Sequence, residues 1–288
     1  MTGIEILGYS ACAVTALTFL PQVIKTWKEK TAKNVSLMMF IIAFVNEVMW
    51  IAYGVLQKDN VIIVTNVIMI AMCSVMISLK LKYKCIMVNA IIFDLGGVLI
   101  DWNPNYVFDE NYFKSQEQKD FFFQNVCTPD WNENQDAGFP IALATEEKLA
   151  EFPEWEKPIK DFYGRWVEML GEQIQGTVDI FKQLKENKAL KFYALTNWSA
   201  ETFPIAVDRF EFLQWFDGLV VSGEENMRKP FPEFYQLLLN RYNVKAEEAL
   251  FIDDNLRNVK AAEALGIKSI HFTTPEQLGL ELQNIGIY

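Results

Sequence analysis

The residues able to do chemistry in this 288-residue sequence sit just past short apolar runs. Asp94 follows Ala90–Phe93, Thr196 and Asn197 follow residues 190–195, and Asp253 and Asp254 follow residues 250–252. Lys229 lies on the loop after Gly218–Val221. A carboxylate in such a place can attack phosphorus or carbon and form an acyl-type intermediate. Two further carboxylates can share a hard divalent cation with it, because Mg²⁺ takes one or two carboxylates alongside substrate oxygens and waters. A lysine neutralises clustered acids and transferring phosphoryl oxygens. A threonine hydroxyl and neighbouring backbone N–H groups can hold phosphate oxygens.

Groups this far apart in sequence converge only if the apolar runs are strands of one sheet. With residues 268–272 there are five candidate strands, and they alternate with amphipathic helical stretches. That alternation predicts a doubly wound parallel sheet, which binds ligands at the carboxyl ends of its strands. His271, the single histidine, ends a candidate strand away from these groups and reads as structural.

Four stretches in order resemble the motifs of the haloacid dehalogenase (HAD) superfamily. They are Ile92-Phe-Asp94-Leu-Gly96-Gly97-Val-Leu, Leu195-Thr196-Asn197, Arg228-Lys229-Pro230 and Phe251-Ile-Asp253-Asp254-Asn255. The resemblance spans about residues 87–275. It implies an α/β, Rossmann-like HAD domain over 87–288, with a helical C1 cap inserted at about 104–175. By that resemblance Asp94 is nucleophile and Mg²⁺ ligand, Thr196, Asn197 and Lys229 hold phosphate, and Asp254, with Asp253 close by and the Gly96 carbonyl, holds the metal. The implied substrate is a small phosphate ester. The aromatics of the insertion read as cap core rather than ligand contacts.

One position departs from the pattern. Phosphatases of the superfamily carry a second aspartate two residues after the nucleophile as general acid, and here that residue is Gly96. Losing general acid catalysis costs about 10²- to 10⁴-fold. Asp101 is close in sequence as a substitute. The dehalogenase branch also lacks that aspartate, but it lacks the acidic pair kept here at Asp253-Asp254. A metal-dependent phosphatase is therefore the preferred reading, with a dehalogenase-like or catalytically silent domain as the alternatives.

Before this part lie three apolar runs, residues 4–24, 37–56 and 61–79, each long enough to cross a hydrocarbon core about 30 Å thick. Ser36 and Asp59 are placed to cap the helices they precede. Lys25, Lys28, Lys30 and Lys33 crowd the first loop, and Lys80, Lys82 and Lys84 follow the third run. Positive charge stays cytoplasmic. The N-terminus is thus expected outside a cell inner (plasma) membrane, with the second part in the cytoplasm.

Phe19-Leu-Pro21-Gln22-Val-Ile-Lys25-Thr-Trp resembles the PQ-loop signature. With Trp50-Ile-Ala-Tyr53-Gly54, Asp59 and Asn66-Val, it is similar to the SemiSWEET sugar transporters over nearly all of residues 4–84. The resemblance implies an all-α transmembrane three-helix bundle over 1–85, paired as a parallel homodimer that passes a small sugar by alternating access. Trp50 and Asn66 match the sugar-holding residues, Pro21 and Gln22 the hinge, and Tyr53 an outer gate. Glu47 departs from the family pattern.

The net charge is -11, concentrated after residue 86, which argues against a nucleic-acid partner. Cys12, Cys73, Cys85 and Cys127 lack metal-ligand spacing and read as ordinary small apolar residues. Met87-Val-Asn-Ala-Ile-Ile-Phe-Asp94 reads as a native start, and the third apolar run meets it without Gly, Ser or Pro. The chain therefore reads as an artificial fusion, with a natural transporter–phosphatase fusion as the alternative.

Overall fold

In the computed structural model, residues 3–29, 35–82 and 88–288 are described. Lys30, Lys33, Lys84, Cys85 and Met87, which bear on loop orientation and the join, lie outside them. The chain divides into two units, Met1–Ile86 and Met87–Tyr288.

The first unit is three helices: α1 (Gly3–Glu29), α2 (Leu37–Gln57) and α3 (Asn60–Lys82). All three are long and apolar enough to cross a membrane. α3 packs against both others. Its contact with α2 is close because Gly54 has no side chain: a Cβ there would lie 3.0 Å from Ile62 and Ile63. Ser36 caps α2 by accepting the Met39 N–H. Lys58 ends α2 in the left-handed region, and Asp59 Oδ1 then accepts the Val61 and Ile62 N–H groups at 2.9 and 3.2 Å. α1 outruns its apolar stretch and continues through Pro21 to Glu29. Apolar side chains such as Leu7, Met49 and Leu56 point outward, while Thr65, Asn66 and Ser74 donate to carbonyls one turn back. That combination suits lipid, where backbone and polar groups must be satisfied internally.

The second unit is built on strands β1 (Ala90–Phe93), β2 (Ile100–Trp102), β3 (Leu170–Gln173), β4 (Lys191–Thr196), β5 (Gly218–Val221), β6 (Ala249–Asp253) and β7 (Lys268–His271). Five form a parallel sheet in the order β5-β4-β1-β6-β7. Strand alternation divides the core. Ile91, Phe93, Phe192, Ala194, Leu250 and Ile252 face one helical layer, and Ala90, Ile92, Tyr193, Leu195, Ala249 and Phe251 face the other. β1 is wholly buried, as an interior strand of a parallel sheet must be.

β2 and β3 form an antiparallel pair that sequence reading missed, being only three and four residues long and of mixed polarity. Between them lies a layer of short helices, including Gln116–Phe121, Pro129–Asp136, Ile141–Glu151 and Glu156–Gly164. It has its own core of Val107, Phe108, Phe122, Trp131, Ile159 and Phe162.

Candidate active site

β1 ends one residue before Asp94, yet the ladder continues: the Asp94 N–H donates to the Ile252 carbonyl at 2.8 Å. The carboxylate is thereby fixed at the carboxyl edge of the sheet, 8% exposed. Its Oδ1 accepts the Leu95 N–H at 2.7 Å, and its Oδ2 meets Lys229 Nζ at 2.8 Å. Lys229 is fully buried and also pairs with Asp253 Oδ2 at 2.7 Å. Asn197 clamps the Lys229 backbone, accepting its N–H at 2.8 Å and donating to its carbonyl at 3.0 Å.

Such a site is costly to bury and holds because each charge is partnered. Burial pushes the Asp94 carboxyl above its ordinary range, more strongly than the Lys229 ammonium pulls it down. Burial alone would lower the Lys229 pKa, but Asp253 and Asp94 hold it above the ordinary lysine value. Desolvation and the neighbouring Asp253 charge raise Asp254.

Ligand oxygens of Asp94, Asp253 and Asp254 lie within 4.8 Å of one another. Three carboxylates against one buried ammonium leave an excess of negative charge, and the donors are all oxygen, which fits a hard divalent cation. Gly97 is required here. It has φ +73, and a Cβ on it would lie 2.3 Å from Asp254 Oδ2.

Asp253 also has a positioning role. Besides Lys229, its oxygens accept the Asn255 N–H at 2.8 Å and both contacts of Asn258 Nδ2 at 3.1 Å. It therefore holds Lys229 and Asn258 in place while remaining part of the three-carboxylate cluster. Asn197 lines the cavity while its side-chain amide is bonded to the Lys229 backbone. His271 is not remote, since its Nε2 lies 2.8 Å from the Asp254 carbonyl and steadies that turn.

Above these groups lies a cavity of about 250 Å³. Its sheet side presents Asp94, Gly96, Gly97, Lys229, Asp254 and Asn255; Trp102, Asn132, Glu133, Asp136 and Trp166 also line it. Thr196 is not on the wall. It is buried beside Asn197, and its Oγ1 has no partner among the described residues. The indole N–H groups of Trp102 and Trp198 are also buried without partners among the described residues. Asp101, the substitute acid suggested by closeness in sequence, accepts the Tyr106 hydroxyl and does not line this cavity.

Sequence reading missed the helical-layer side of the site. Glu133 pairs with Arg228 and, at 2.5 Å, with Arg257, tying that layer to two sheet-edge segments. Asp136 docks on two strand ends: its Oδ1 accepts the Ser199 N–H at 3.1 Å, and its carbonyl accepts the Ser222 hydroxyl. No local signal marks either residue, because both lie in a short polar helix whose partners are over 60 residues away.

In the first unit, Trp50 and Asn66 line one groove of about 330 Å³ with Thr15, Asn46, Glu47 and Thr65. The Tyr53 ring packs edge-on against Trp50, centroids 5.6 Å apart. Pro21 and Gln22 lie within α1, outside this groove.

Residues 88–266 match the family model for haloacid dehalogenase-like hydrolases, and residues 3–63 match that for the PQ loop repeat. A sesquiterpene phosphatase of Aspergillus oryzae is 30% identical over 206 residues, covering 70% of this chain and 98% of its own length. The sugar transporter SemiSWEET of Bradyrhizobium diazoefficiens is 30% identical over 80 residues, covering 28% of this chain and 93% of its own length. A HAD family enzyme of Bacteroides thetaiotaomicron, crystallised with magnesium and inorganic phosphate, superposes with a TM-score of 0.51 at 22% identity, over 65% of this chain and 95% of that one. This last likeness shows the fold.

Proposed function

Since residues 88–266 belong to the haloacid dehalogenase-like hydrolases and the N-terminal segment to the SemiSWEET-type PQ-loop proteins, we propose that the second unit hydrolyses small phosphate monoesters with Mg²⁺ and the first passes a small sugar across a membrane. The observation that carries the enzyme reading is the buried Lys229 ammonium shared by Asp94 and Asp253, beside an acid, Asp254, turned to the cavity. The A. oryzae phosphatase and the magnesium and phosphate of the Bacteroides structure support it.

Asp94 attacks phosphorus, and the bond to the leaving oxygen breaks with its electron pair passing to that oxygen. Water then attacks the aspartyl phosphate, releasing phosphate and restoring the carboxylate. Lys229 pulls Asp94 toward its ionised form, against the effect of burial, and offsets charge on the phosphoryl oxygens. Mg²⁺ held by Asp94, Asp254 and the Gly96 carbonyl would neutralise phosphoryl charge. Hydroxyls on the leaving group would satisfy the buried Trp102 and Trp198 N–H groups. A halide leaving group would need no proton, so Gly96 alone is compatible with dehalogenation, but the Asp253-Asp254 pair favours phosphoryl chemistry.

The test is phosphate release by the full chain from a panel of phosphate esters, with chloro-acid controls. Release is expected with Mg²⁺, and neither after chelation nor in Asp94→Asn. Halide release, or an Asp94→Asn variant as active as the parent, would overturn the reading.

For the first unit, the groove that joins Trp50 and Asn66 supports a sugar site, an indole face stacking on C–H groups while an amide meets hydroxyls. Three helices enclose too little for a solute path, so a second copy completes it as a homodimer. Lysines past the third helix support a cytoplasmic second unit. The direct run of sequence from α3 into Val88 supports an artificial join. A single uninterrupted reading frame at a genomic locus would overturn that.

A further inference from the structure

The phosphatase reading leaves a gap, and the proton donor that fills it stands or falls with that reading. An alkoxide leaving group needs a proton, and Gly96 has no side chain to give one. The glycine is not forced by crowding, since a Cβ built on it would meet nothing within 4 Å. The space is open and the donor must come from another wall.

We propose that Asp136, carried into the cavity at the end of the helix Pro129–Asp136, is the proton donor to the leaving-group oxygen. The assignment rests on what lines the cavity. Its carboxyl groups are Asp94, Asp254, Glu133 and Asp136. Asp94 makes the bond to phosphorus, and Asp254 belongs to the cation cluster. Glu133 is committed to ion pairs with Arg228 and Arg257. Lys229 is committed to two carboxylates. Asp136 remains, and the donors to its carboxylate are neutral: the Ser199 N–H on Oδ1 at 3.1 Å and Asn132 Nδ2 on Oδ2 at 3.0 Å.

The surroundings suit a carboxyl that carries a proton near neutrality. Burial pushes Asp136 up to about 7, assisted by the Glu133 charge on its own helix and opposed by the Ser199 N–H and by Arg228. From the helix Glu156–Gly164, Tyr163 faces it and donates to Asn132 Oδ1 at 3.0 Å. Glu201, two residues past Ser199, is turned to the Ile141 N–H at 2.8 Å. The Ser222 hydroxyl holds the Asp136 backbone to the strand ends, so the group is fixed as a catalytic acid must be.

The step balances. As Asp94 bonds to phosphorus, the electron pair of the breaking P–O bond goes to the leaving oxygen, which takes the Asp136 proton and departs as an alcohol. In the second half, water attacks phosphorus, the Asp136 carboxylate takes its proton, and the electron pair of the Asp94–phosphorus bond returns to Asp94.

A purely docking role for Asp136 predicts a different pattern, and leaving groups separate the two. The full chain with Mg²⁺ is assayed on p-nitrophenyl phosphate, whose leaving group needs no proton, and on an alkyl phosphate, whose leaving group does. Asp136→Asn is expected to lower kcat on the alkyl ester about 10²- to 10⁴-fold, with little loss on p-nitrophenyl phosphate. Asp136→Glu is expected to restore part of the alkyl activity. The parent's alkyl kcat/KM falls as pH rises through about 7, where the acid loses its proton, and Asp136→Asn lacks that limb. Asp94 and Asp254 are raised as well, so the infrared readout is the difference spectrum of metal-free parent minus Asp136→Asn, which should show an additional protonated carboxyl band on the acid side of neutrality. Equal losses on both esters, or no difference band, would overturn the assignment. If the parent cleaves neither ester, the phosphatase reading itself falls and takes the donor with it.

Discussion

At the scale of single residues, the site is a set of charges that tolerate each other only in one arrangement. Lys229 reconciles Asp94 with Asp253, and Gly97 lets the backbone pass within van der Waals reach of Asp254. Gly97→Ala puts a methyl group where an Asp254 oxygen now lies, at a backbone conformation that alanine resists. Mg²⁺ affinity measured by calorimetry should fall by about 10- to 100-fold, as for lost support around a metal ligand; unchanged affinity would remove Asp254 from the cation site. Asp94, Thr196, Asp253 and Asp254 were legible in sequence because each closes an apolar run. What Asn197 and Asp253 do was not legible. Both have the right types for phosphate or metal, and only the folded arrangement shows the hydrogen bonds they also make to Lys229, Asn255 and Asn258.

At the scale of elements, five strands were legible to within a residue or so, because parallel strands buried on both faces leave continuous apolar runs. β2 and β3 were not, since three or four residues of mixed character carry no period. The aromatic helical layer was visible as a composition, and most of its rings do pack on one another. Its attachment was invisible, because the Glu133 pairs with Arg228 and Arg257 join residues 95 and 124 positions apart. Those pairs make Glu133 a latch between the layer and the sheet edge. Glu133→Gln should cost about 1.5–3 kcal/mol of that hold, the usual worth of hydrogen bonds to a charged group. Hydrogen exchange should quicken in Pro129–Asp136, and KM should rise by about tenfold or more. Unaltered exchange would show that the layer is held by its apolar contacts alone.

At the scale of the whole molecule, two units with different solvents share one chain. The three helices were legible because lipid demands about 20 apolar residues per span. α1 continues past its apolar stretch to Glu29. Asn66 donates within α3 and still lines the groove with Trp50. Sugar counterflow in liposomes loaded with the full chain should therefore fall sharply in Trp50→Ala and Asn66→Ala, with Asp94→Asn unaffected. Undiminished flux in both groove variants would place the solute elsewhere.

The hydrolase reading rests on Asp94 forming a bond to phosphorus, and that bond can be trapped. The full chain is mixed with Mg²⁺ and p-nitrophenyl phosphate, quenched in acid and reduced with borohydride, which turns an aspartyl phosphate into homoserine. Peptide mass spectrometry should find homoserine at position 94, and none when Mg²⁺ is withheld. Phosphate release with an unmodified Asp94, or with homoserine at another acid, would contradict Asp94 as the nucleophile.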